Sequence, residues 1–407
     1  MDWADTPEQA QFRQEVRSFI EQRLPAHYEV RRQRDTVGLE DNHEQHFVHG
    51  TPVEQAAARE WADALMERGW VAPHWPREYG GAGLSTMEQF IYNQEMAVAQ
   101  APQPGGSGVS LLGPTMLVHG TPEQKAKYLD PTLRGEMRWA QGFSEPGAGS
   151  DLGSLQCRAI RDGDEWVING QKLWTSTAHK SNWIFGLFRT DPDAPKHRGI
   201  SFLIMDQSTP GISVRPIISM GWEHATNETF YEDVRIPAEN IVGEQNRGWY
   251  VGMTLLDFER SNIAGAVTMR RRIEAMLDYA KTPRGSEQSE PRKRLNRGNV
   301  ADRWIESEVM FNFSFRIVSM QAAGTIPNYE ASTSKAFGSE LGQRVANTGM
   351  KMFGMYANVW DREDPHAAVD ASFTQEYVHS VVHSIFGGSN EIQRNIIATR
   401  GLGLPRG

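Results

Sequence analysis

The first third of the chain carries apolar residues three to four positions apart, which is the spacing of an amphipathic helix. A capping-box sequence at 6–9 predicts the start of the first helix, and a second capped helix is predicted over 121–135. Between them, the glycine-rich segment 75–85 lacks the spacing of a phosphate-binding motif and is interpreted as a loop. The pattern therefore predicts an N-terminal helical domain over residues 1–135.

From residue 136 to 245 the pattern changes to the alternation of apolar and polar residues that is typical of strands. In EWVINGQKLWTS (165–176) the pair Asn169 and Gly170 predicts a tight hairpin. Further strands are predicted at 182–190, 199–206, 211–217 and 228–236. Because these strands do not alternate with helices, we predict a middle antiparallel, β-barrel-like domain rather than a dinucleotide-binding fold.

Helical spacing returns after residue 246. Helices are predicted at 248–281, 299–324, 330–353 and 372–398. The polar segment 282–298 contains a single large apolar residue and is predicted to be a mobile surface loop. The pattern predicts a C-terminal four-helix bundle over residues 246–407, so the chain is assigned to the α+β class with three domains.

The composition is that of a globular protein, with 39% of the 407 residues hydrophobic and 23% charged. No apolar run reaches the roughly eighteen residues that a membrane span needs. The N-terminus lacks the features of a secretory or transit peptide, so a cytoplasmic location is expected. The formal net charge of -9 argues against nucleic acid as a partner.

Three smaller features are given structural interpretations. Cys157 is the single cysteine, which excludes an internal disulfide, and we interpret it as a packing residue. The basic run 270–272 is interpreted as the solvated side of a helix, and 292–294 as part of a polar connector. The 12 histidines lack metal-ligand spacing, so no metal site is expected.

The segment VGMTLLDFERSNIAGAV (251–267) places a carboxylate in an apolar stripe. If the segment is helical, Glu259 shares one face with four aliphatic residues spaced four apart. Those residues are Val251, Leu255, Ile263 and Val267. Because burying an unpaired charge is costly, two interpretations stay open. Glu259 is solvent-exposed at the edge of the stripe, or it has a chemical role.

The most concentrated glycine-rich and polar stretch is GFSEPGAGSDL (142–152). Glycines let backbone N–H groups approach a ligand closely, and Ser144, Ser150 and Asp151 add short hydrogen-bonding side chains. In a second segment, LWTS (173–176), a tryptophan is followed by two hydroxyl residues, which suits a planar aromatic ligand. Together the two segments indicate a ligand site, whereas the first alone could be an ordinary interdomain loop.

Five motifs in order make the chain resemble the acyl-CoA dehydrogenase family: WPREYGGAGLS, GFSEPGAGSDL, INGQKLWTS, FYEDVRIPAENIVGEQNRGW and FGGSNEIQRNI. They span roughly residues 75 to 400. The resemblance implies a helical domain, a middle β domain and a C-terminal helical bundle that hold FAD at their junction. It also implies dehydrogenation of an acyl-CoA thioester and transfer of the electrons to an electron-transferring flavoprotein.

By position, the resemblance also implies the site residues. Ser144 would bond the pyrimidine edge of the flavin, Trp174 would pack against its ring, and Ser176 would bond its N5 atom. The implied cofactor-binding residues are Gln141, Phe143, Ser144, Ser150, Trp174, Thr175, Ser176, Ser389 and Glu391. The implied substrate-binding residues are Ser150, which would lie near the phosphate and CoA, together with Asp257 and Arg260.

Many family members carry the catalytic base in a Tyr-Glu-Gly-Thr type motif near the C-terminus, where this chain has Gly387 in place of the glutamate. One branch, which includes isovaleryl-CoA dehydrogenase, carries the base on an earlier helix in a Leu-Asp-x-Glu-Arg context, and LLDFER matches it. The resemblance thus implies that Glu259 removes the α proton while the β hydrogen leaves as hydride to the flavin. An apolar setting would raise the pKa of Glu259.

Gly387 is expected to keep a catalytic role through its backbone. In the family, the N–H at this position and the ribityl chain of FAD both donate to the thioester oxygen, which stabilises the developing enolate. The missing side chain predicts space for a branched, cyclic or bulky acyl group. The alternative, that the glycine leaves substrate width unchanged, stays open.

Two motifs that reach the FAD of a neighbouring subunit in homotetrameric members are absent, at 282–298 and at 352–355. Either a paralogous chain supplies these contacts, as in the family's heteromeric bacterial enzymes, several of which act on steroid side chains, or a homodimer or homotetramer uses substitute contacts. Two further functions stay open: a flavin oxidase or monooxygenase on the same fold, and a subunit that supplies part of a shared FAD site.

Overall fold

The computed structural model of the chain describes residues 4–32, 43–257 and 263–405, and these form two compact units. The described residues within 1–41, 84–102 and 260–407 belong to the first, which we call the helical unit, and those within 42–83 and 103–259 to the second, which we call the sheet unit. None of the helices described has an apolar stretch that would span a lipid bilayer.

The order of elements along the chain is helices, strands and helices. The helices are α1 (Pro7–Arg23), α2 (Ala26–Arg32), α3 (His43–His49), α4 (Pro52–Met66), α5 (Thr86–Val98), α6 (Gly113–His119), α7 (Pro122–Leu133), α8 (Gly248–Asp257), α9 (Ile263–Lys281), α10 (Pro283–Ser286), α11 (Glu290–Ala322), α12 (Tyr329–Phe353), α13 (Ser372–His383) and α14 (Asn390–Ile396). The strands are β1 (Trp139–Gly142), β2 (Arg158–Asp162), β3 (Glu165–Lys172), β4 (Trp183–Arg189), β5 (Ile200–Asp206), β6 (Ile212–Ile217), β7 (Thr226–Pro237) and β8 (Ile241–Val242). This order confirms the predicted α+β class.

In the helical unit, α9, α11, α12 and α13 pack together as the predicted four-helix bundle. Its fully buried residues include Ile273, Met276, Leu341, Val345 and Phe373. At the other end of the chain, α1 begins at the predicted capping box, because the Gln9 N–H donates to the Thr6 hydroxyl (3.3 Å) and the Thr6 N–H donates to the Gln9 side chain (2.9 Å).

Two predictions for the C-terminal region are wrong. The polar segment 282–298 is not a loop, since it contains α10 and the first turns of α11. Pro291 lies in the first turn of α11, where its missing N–H costs no helical hydrogen bond. The predicted single helix 372–398 is two helices, because Gly387 and Gly388 adopt left-handed φ values of +62° and +81° between α13 and α14.

The basic run 270–272 was predicted to form the solvated side of a helix, and this prediction is wrong for Arg272. Arg272 is buried, and its two terminal nitrogens lie 2.8 and 2.9 Å from the two carboxylate oxygens of Glu376 on α13. Arg270 pairs with Glu308 on α11. A buried guanidinium requires such a partner, so the two arginines join α9 to two neighbouring helices.

The sheet unit contains one eight-stranded sheet with the order β6-β7-β3-β2-β4-β5-β8, and β1 pairs with β4. Most neighbours are antiparallel, as predicted, but β4 pairs in parallel with both β1 and β2. Cys157 lies in the core of this sheet, where burial raises the pKa of its thiol to about 12. A thiol with such a pKa stays protonated at neutral pH, which agrees with a packing role.

The predicted hairpin at Asn169 and Gly170 is wrong. The turn between β2 and β3 lies earlier, at Gly163 and Asp164, because Asp162 pairs directly with Glu165. Gly170 instead sits at a register shift inside β3 with φ of +144°. The dipeptide therefore forms a bulge rather than a turn.

Candidate functional site

The buried ammonium group of Lys172 binds the glycine-rich stretch 142–152 to the sheet. Lys172, at the end of β3, is fully buried, and its Nζ atom lies 2.7 Å from Oε1 of Glu145. The same Nζ donates to the carbonyls of Leu187 (2.6 Å) and Phe143 (3.3 Å). These three acceptors use all three hydrogens of the ammonium group, so its charge is fully compensated.

Glu145 in turn binds the backbone just before β2. Its carboxylate accepts from the backbone N–H groups of Gln156 (2.6 Å) and Cys157 (3.0 Å). Glu145 and Ala148 also exchange backbone hydrogen bonds of 2.9 and 3.1 Å, which closes a tight turn. The turn is therefore rigid although it is glycine-rich.

The outer side of this stretch remains open to a ligand. Pro146, Gly147, Gly149 and Ser150 are exposed, and a Cβ built on either glycine would have no atom within 4 Å. Their backbone can therefore be approached closely, as an anionic or polar ligand requires.

A backbone hydrogen bond joins the two predicted ligand segments. The N–H of Leu173 donates to the carbonyl of Ser144 at 2.8 Å. In the next three residues, Trp174 and Ser176 are exposed, while Thr175 is fully buried. The structure thus brings Ser144 close to a segment that exposes an aromatic ring and a hydroxyl.

The segment around Trp174 holds an unfavourable backbone conformation. Trp174 and Thr177 both have left-handed φ values, +59° and +56°. Each such residue costs on the order of 1 kcal/mol when it is not glycine. The Thr177 N–H donates to the carbonyl of Ala225 (2.9 Å), and Thr175 exchanges backbone bonds with Asn227 (2.9 and 3.1 Å), so the start of β7 holds this conformation.

The remaining predicted flavin residues of the sheet unit lie along β1 and just after it. Gln141 pairs with Phe185 in the parallel β1–β4 ladder and is half-buried. Phe143 is buried, with its ring 6.2 Å from that of Phe185 and 6.3 Å from that of Phe202. Phe143 is therefore part of the aromatic core beneath the loop.

These features fit a planar heteroaromatic cofactor with an anionic tail, which is the chemistry of FAD. The exposed ring of Trp174, the hydroxyls of Ser144 and Ser176 and the open glycine backbone supply an aromatic face, polar edge contacts and N–H donors. In addition, the buried Thr175 hydroxyl has no hydrogen-bond partner among the residues that the structure describes, and such a group ordinarily has one.

Next to Ser150, a charged pair joins the glycine-rich stretch to a loop around Lys196 that the sequence did not single out. The next residue, Asp151, pairs with Lys196, and hydrogen bonds from Lys196 and Ser154 lower the pKa of Asp151. The loop that carries Lys196 borders a cavity of about 400 Å³. The cavity is lined by Asp191, Ala194, Pro195, Arg198, Gly199, Asn246, Arg247 and Tyr250. Its lining therefore contains two guanidinium groups and one carboxylate.

In the helical unit, the predicted residues lie between α13 and α14 and at the start of α14. The carbonyls of Gly387 and Gly388 both accept from the Gln393 side chain at 3.2 Å, and a Cβ on Gly387 would have no atom within 4 Å. Ser389 caps α14 by accepting from Ile392 N–H (3.4 Å), and backbone and Ser389 hydrogen bonds lower the pKa of Glu391.

The proposed base lies outside the described residues. The predicted helix 248–281 corresponds to α8 and α9, and Glu259 and Arg260 fall in the interval 258–262 that the structure does not describe. Asp257 is the last residue of α8. The four aliphatic residues of the stripe, Val251, Leu255, Ile263 and Val267, are buried in their own units.

Comparisons with known proteins give matches over most of the chain. Family models match residues 6–136, 140–234 and 246–402, and are described as the N-terminal, middle and C-terminal domains of acyl-CoA dehydrogenase. Acyl-CoA dehydrogenase IpdE1 of Mycobacterium tuberculosis is 36% identical over 352 residues, which cover 86% of this chain and 88% of the relative.

Two solved structures are similar over their whole length. One, described as a Tcur3481-Tcur3483 steroid ACAD, has a TM-score of 0.85 and 33% identity, covering 100% of both chains. The other, the ChsE4-ChsE5 complex from Mycobacterium tuberculosis, has a TM-score of 0.81 and 31% identity, again covering 100% of both chains.

Proposed function

Because the chain belongs to the acyl-CoA dehydrogenase family, whose members are oxidoreductases acting on CH–CH bonds, we propose that it converts an acyl-CoA thioester into the trans-2-enoyl-CoA with FAD as cofactor. The observation that supports this most directly is the Leu173–Ser144 hydrogen bond, which brings the two predicted flavin segments together. When bound, FAD supplies the acceptor for the two electrons removed from the substrate.

Nine residues are proposed to contact the cofactor. In the sheet unit, Ser144 and Ser176 offer hydroxyls and Trp174 offers its ring. Gln141, Phe143, Ser150 and Thr175 complete this set. From the helical unit, Ser389 and Glu391 at the start of α14 are proposed to contact FAD as well.

We assign proton abstraction from the α carbon to Glu259. The assignment rests on the LLDFER sequence and on the burial of Val251 and Leu255, which precede Glu259 in the sequence by eight and four positions. An apolar setting would raise the pKa of the carboxyl and so strengthen it as a base near neutral pH. The Gly387 N–H is proposed to donate to the thioester oxygen, and Ser150, Asp257 and Arg260 to hold the CoA thioester.

Glu259→Gln tests this function. The variant is expected to bind FAD normally but to show no bleaching of the flavin by an acyl-CoA under anaerobic conditions, because the amide cannot accept the proton. Glu274→Gln, at an exposed position on α9, serves as the matched control and is expected to bleach like the unmodified protein. Rapid bleaching of the Glu259 variant would eliminate this base, and fast reoxidation of the reduced protein in air would favour an oxidase instead.

We propose that the acyl group is branched, cyclic or otherwise bulky. The open space at the Cβ position of Gly387 supports this, as does similarity to a structure described as a steroid ACAD. A panel of straight-chain, branched and polycyclic acyl-CoAs, assayed with an artificial electron acceptor, tests the proposal. Equal or better turnover of the straight-chain substrates would contradict it.

We further propose that the chain works as one subunit of a hetero-oligomer with a paralogous chain. The chain lacks the two subunit-spanning FAD motifs, and one similar structure is a complex of two named proteins. Expression alone and with a paralogous partner tests this. Flavin bound only after co-expression supports the proposal, whereas a yellow homodimer or homotetramer from the chain alone rejects it.

An electron-transferring flavoprotein is the proposed electron acceptor. Reduction of a purified electron-transferring flavoprotein by the protein and its acyl-CoA substrate is the direct measurement. Turnover with an artificial acceptor but not with that flavoprotein would point to a different partner.

A further inference from the structure

A buried asparagine holds the segment that carries Trp174 and Ser176. Asn227 lies at the start of β7 and is fully buried. Besides its two backbone bonds with Thr175, its side-chain Nδ2 donates to the Thr175 carbonyl at 3.0 Å. That carbonyl therefore accepts two hydrogen bonds from one residue.

The surroundings fix the orientation of the Asn227 amide. The atom that faces the Thr175 carbonyl must be the nitrogen, because two oxygens would leave no donor. The Nδ1 atom of His179, 3.1 Å from this nitrogen, must then accept, and the Nε2 atom of His224, 2.7 Å from the amide oxygen, must donate. The amide is thus bonded on both sides.

The two histidines reinforce this arrangement. Their rings stack with centroids 3.7 Å apart. Burial, followed by electrostatic interactions with His224, Lys180 and His49, lowers the pKa of His179 to about 4. His179 is therefore neutral at physiological pH, as its acceptor role toward Asn227 requires.

The Asn227 contacts lie between two strained positions. Trp174 and Thr177, which flank Thr175 and Ser176, both have left-handed φ values. Strained backbone persists only where surrounding contacts impose it, and it occurs preferentially at ligand sites. Without the Asn227 side chain, this segment has one hydrogen bond fewer to keep it from relaxing.

We propose that Asn227 is a positioning residue for the flavin: by bonding Thr175, it fixes the orientation in which Trp174 and Ser176 meet the ring. Asn227 acts through Thr175 and is not itself a catalytic residue. This inference rests on the proposed function, because it takes Trp174 and Ser176 as flavin contacts.

The test compares Asn227→Ala with Asn169→Ala in the FAD-loaded protein. Asn169 is the control, since its amide makes two hydrogen bonds from β3 to β7, to the side chain (2.9 Å) and N–H (3.0 Å) of Asp233, and it lies five positions before Trp174 in the sequence. Loss of Asn227 is expected to raise the FAD dissociation constant about tenfold and to shift the midpoint potential and visible spectrum of the bound flavin. Asn169→Ala is expected to change the dissociation constant less than about twofold.

Asn227→Asp keeps the test decisive if the alanine variant does not fold. The carboxylate preserves the size of the side chain and the acceptor for His224, but it removes the donor to Thr175, so the same changes in affinity and potential are expected. Flavin affinity, potential and spectrum unchanged in the folded variants would overturn the positioning role, even if thermal stability fell. Failure of the unmodified protein to bind FAD would instead overturn the proposed function.

Discussion

The Nζ atom of Lys172 lies 2.7 Å from Oε1 of Glu145, and both side chains are almost completely buried. This pair joins the end of β3 to the loop that carries Ser144. Breaking a buried pair by removing one partner is costly, because the other charge is left without compensation. The loop and the strand should therefore hold their relative positions as long as both charges are present.

Replacing Lys172 with Met is expected to lower the free energy of unfolding by about 3 to 5 kcal/mol and to reduce FAD content. Urea unfolding and the flavin absorbance of the purified protein measure the two effects. Lys196→Met is the control, because its pair with Asp151 is exposed and its loss should change stability far less.

The double variant Lys172→Met with Glu145→Gln separates lost charge compensation from lost packing. A neutral amide at residue 145 no longer needs the ammonium group but can accept from only one of the Gln156 and Cys157 N–H groups, so the double variant should recover part of the stability lost in Lys172→Met alone. A double variant that is less stable than the single one would contradict this account of the pair.

Gly170 is expected to be far less tolerant of alanine than Gly163. A Cβ on Gly170 would lie 2.6 Å from the Cys157 sulfur and 2.8 Å from the Cys157 Cα. Gly163 also has a positive φ, +59°, but a Cβ there would meet no atom within 4 Å. Gly163→Ala should therefore cost only the backbone strain of about 1 kcal/mol, and Gly170→Ala at least about 2 kcal/mol more.

Comparison of their urea midpoints checks this difference. Equal losses at the two glycines would mean that β2 and β3 can move apart at the bulge without cost.

Local patterns predicted much of the fold. The capping box at Thr6, the four-residue spacing of α1 and the alternation in β3 each involve residues close in sequence, so their signals can be read directly. The prediction of a hairpin turn at Asn169 and Gly170 was wrong because a glycine in a bulge and a glycine in a turn have the same local sequence. What distinguishes them is the pairing of β3 with β7, which no single segment encodes.

The candidate site shows the same limit. Trp174 and Ser176 stood out by residue type and lie exposed as a ligand site requires. Lys172 and Asn227 did not stand out, because their roles come from partners 27 and 52 residues away. A lysine at an inward position of a strand was the one signal that could have revealed the buried pair.

His43 is expected to make stability fall as the solution is acidified. Burial lowers its pKa from 6.5 to about 4, and its Nε2 atom lies 2.8 Å from the Ala58 carbonyl. The unfolded chain therefore binds this proton at a higher pH than the folded chain. The contribution of neutral His43 is complete above pH 6.5 and is lost as the pH falls toward 4.

His43→Gln should remove this dependence while keeping a donor for Ala58. Between pH 7 and pH 5, unmodified protein is expected to lose about 2 kcal/mol more than the variant, measured by urea unfolding at the two pH values. The same loss in both proteins would place the acid sensitivity elsewhere.

Gly387→Glu is expected to narrow the acyl site. A side chain there enters space that no atom within 4 Å of the Cβ position occupies. Turnover of bulky acyl-CoAs should therefore fall by at least about tenfold relative to straight-chain ones, judged by kcat/KM. Gly387→Ala is the matched control, because it carries the same backbone strain at φ of +62° with little added volume and should leave the ratio nearly unchanged. Equal losses for both substrate types in the glutamate variant would show that Gly387 does not set the width of the site, and a changed ratio in the alanine variant would trace the effect to the backbone instead.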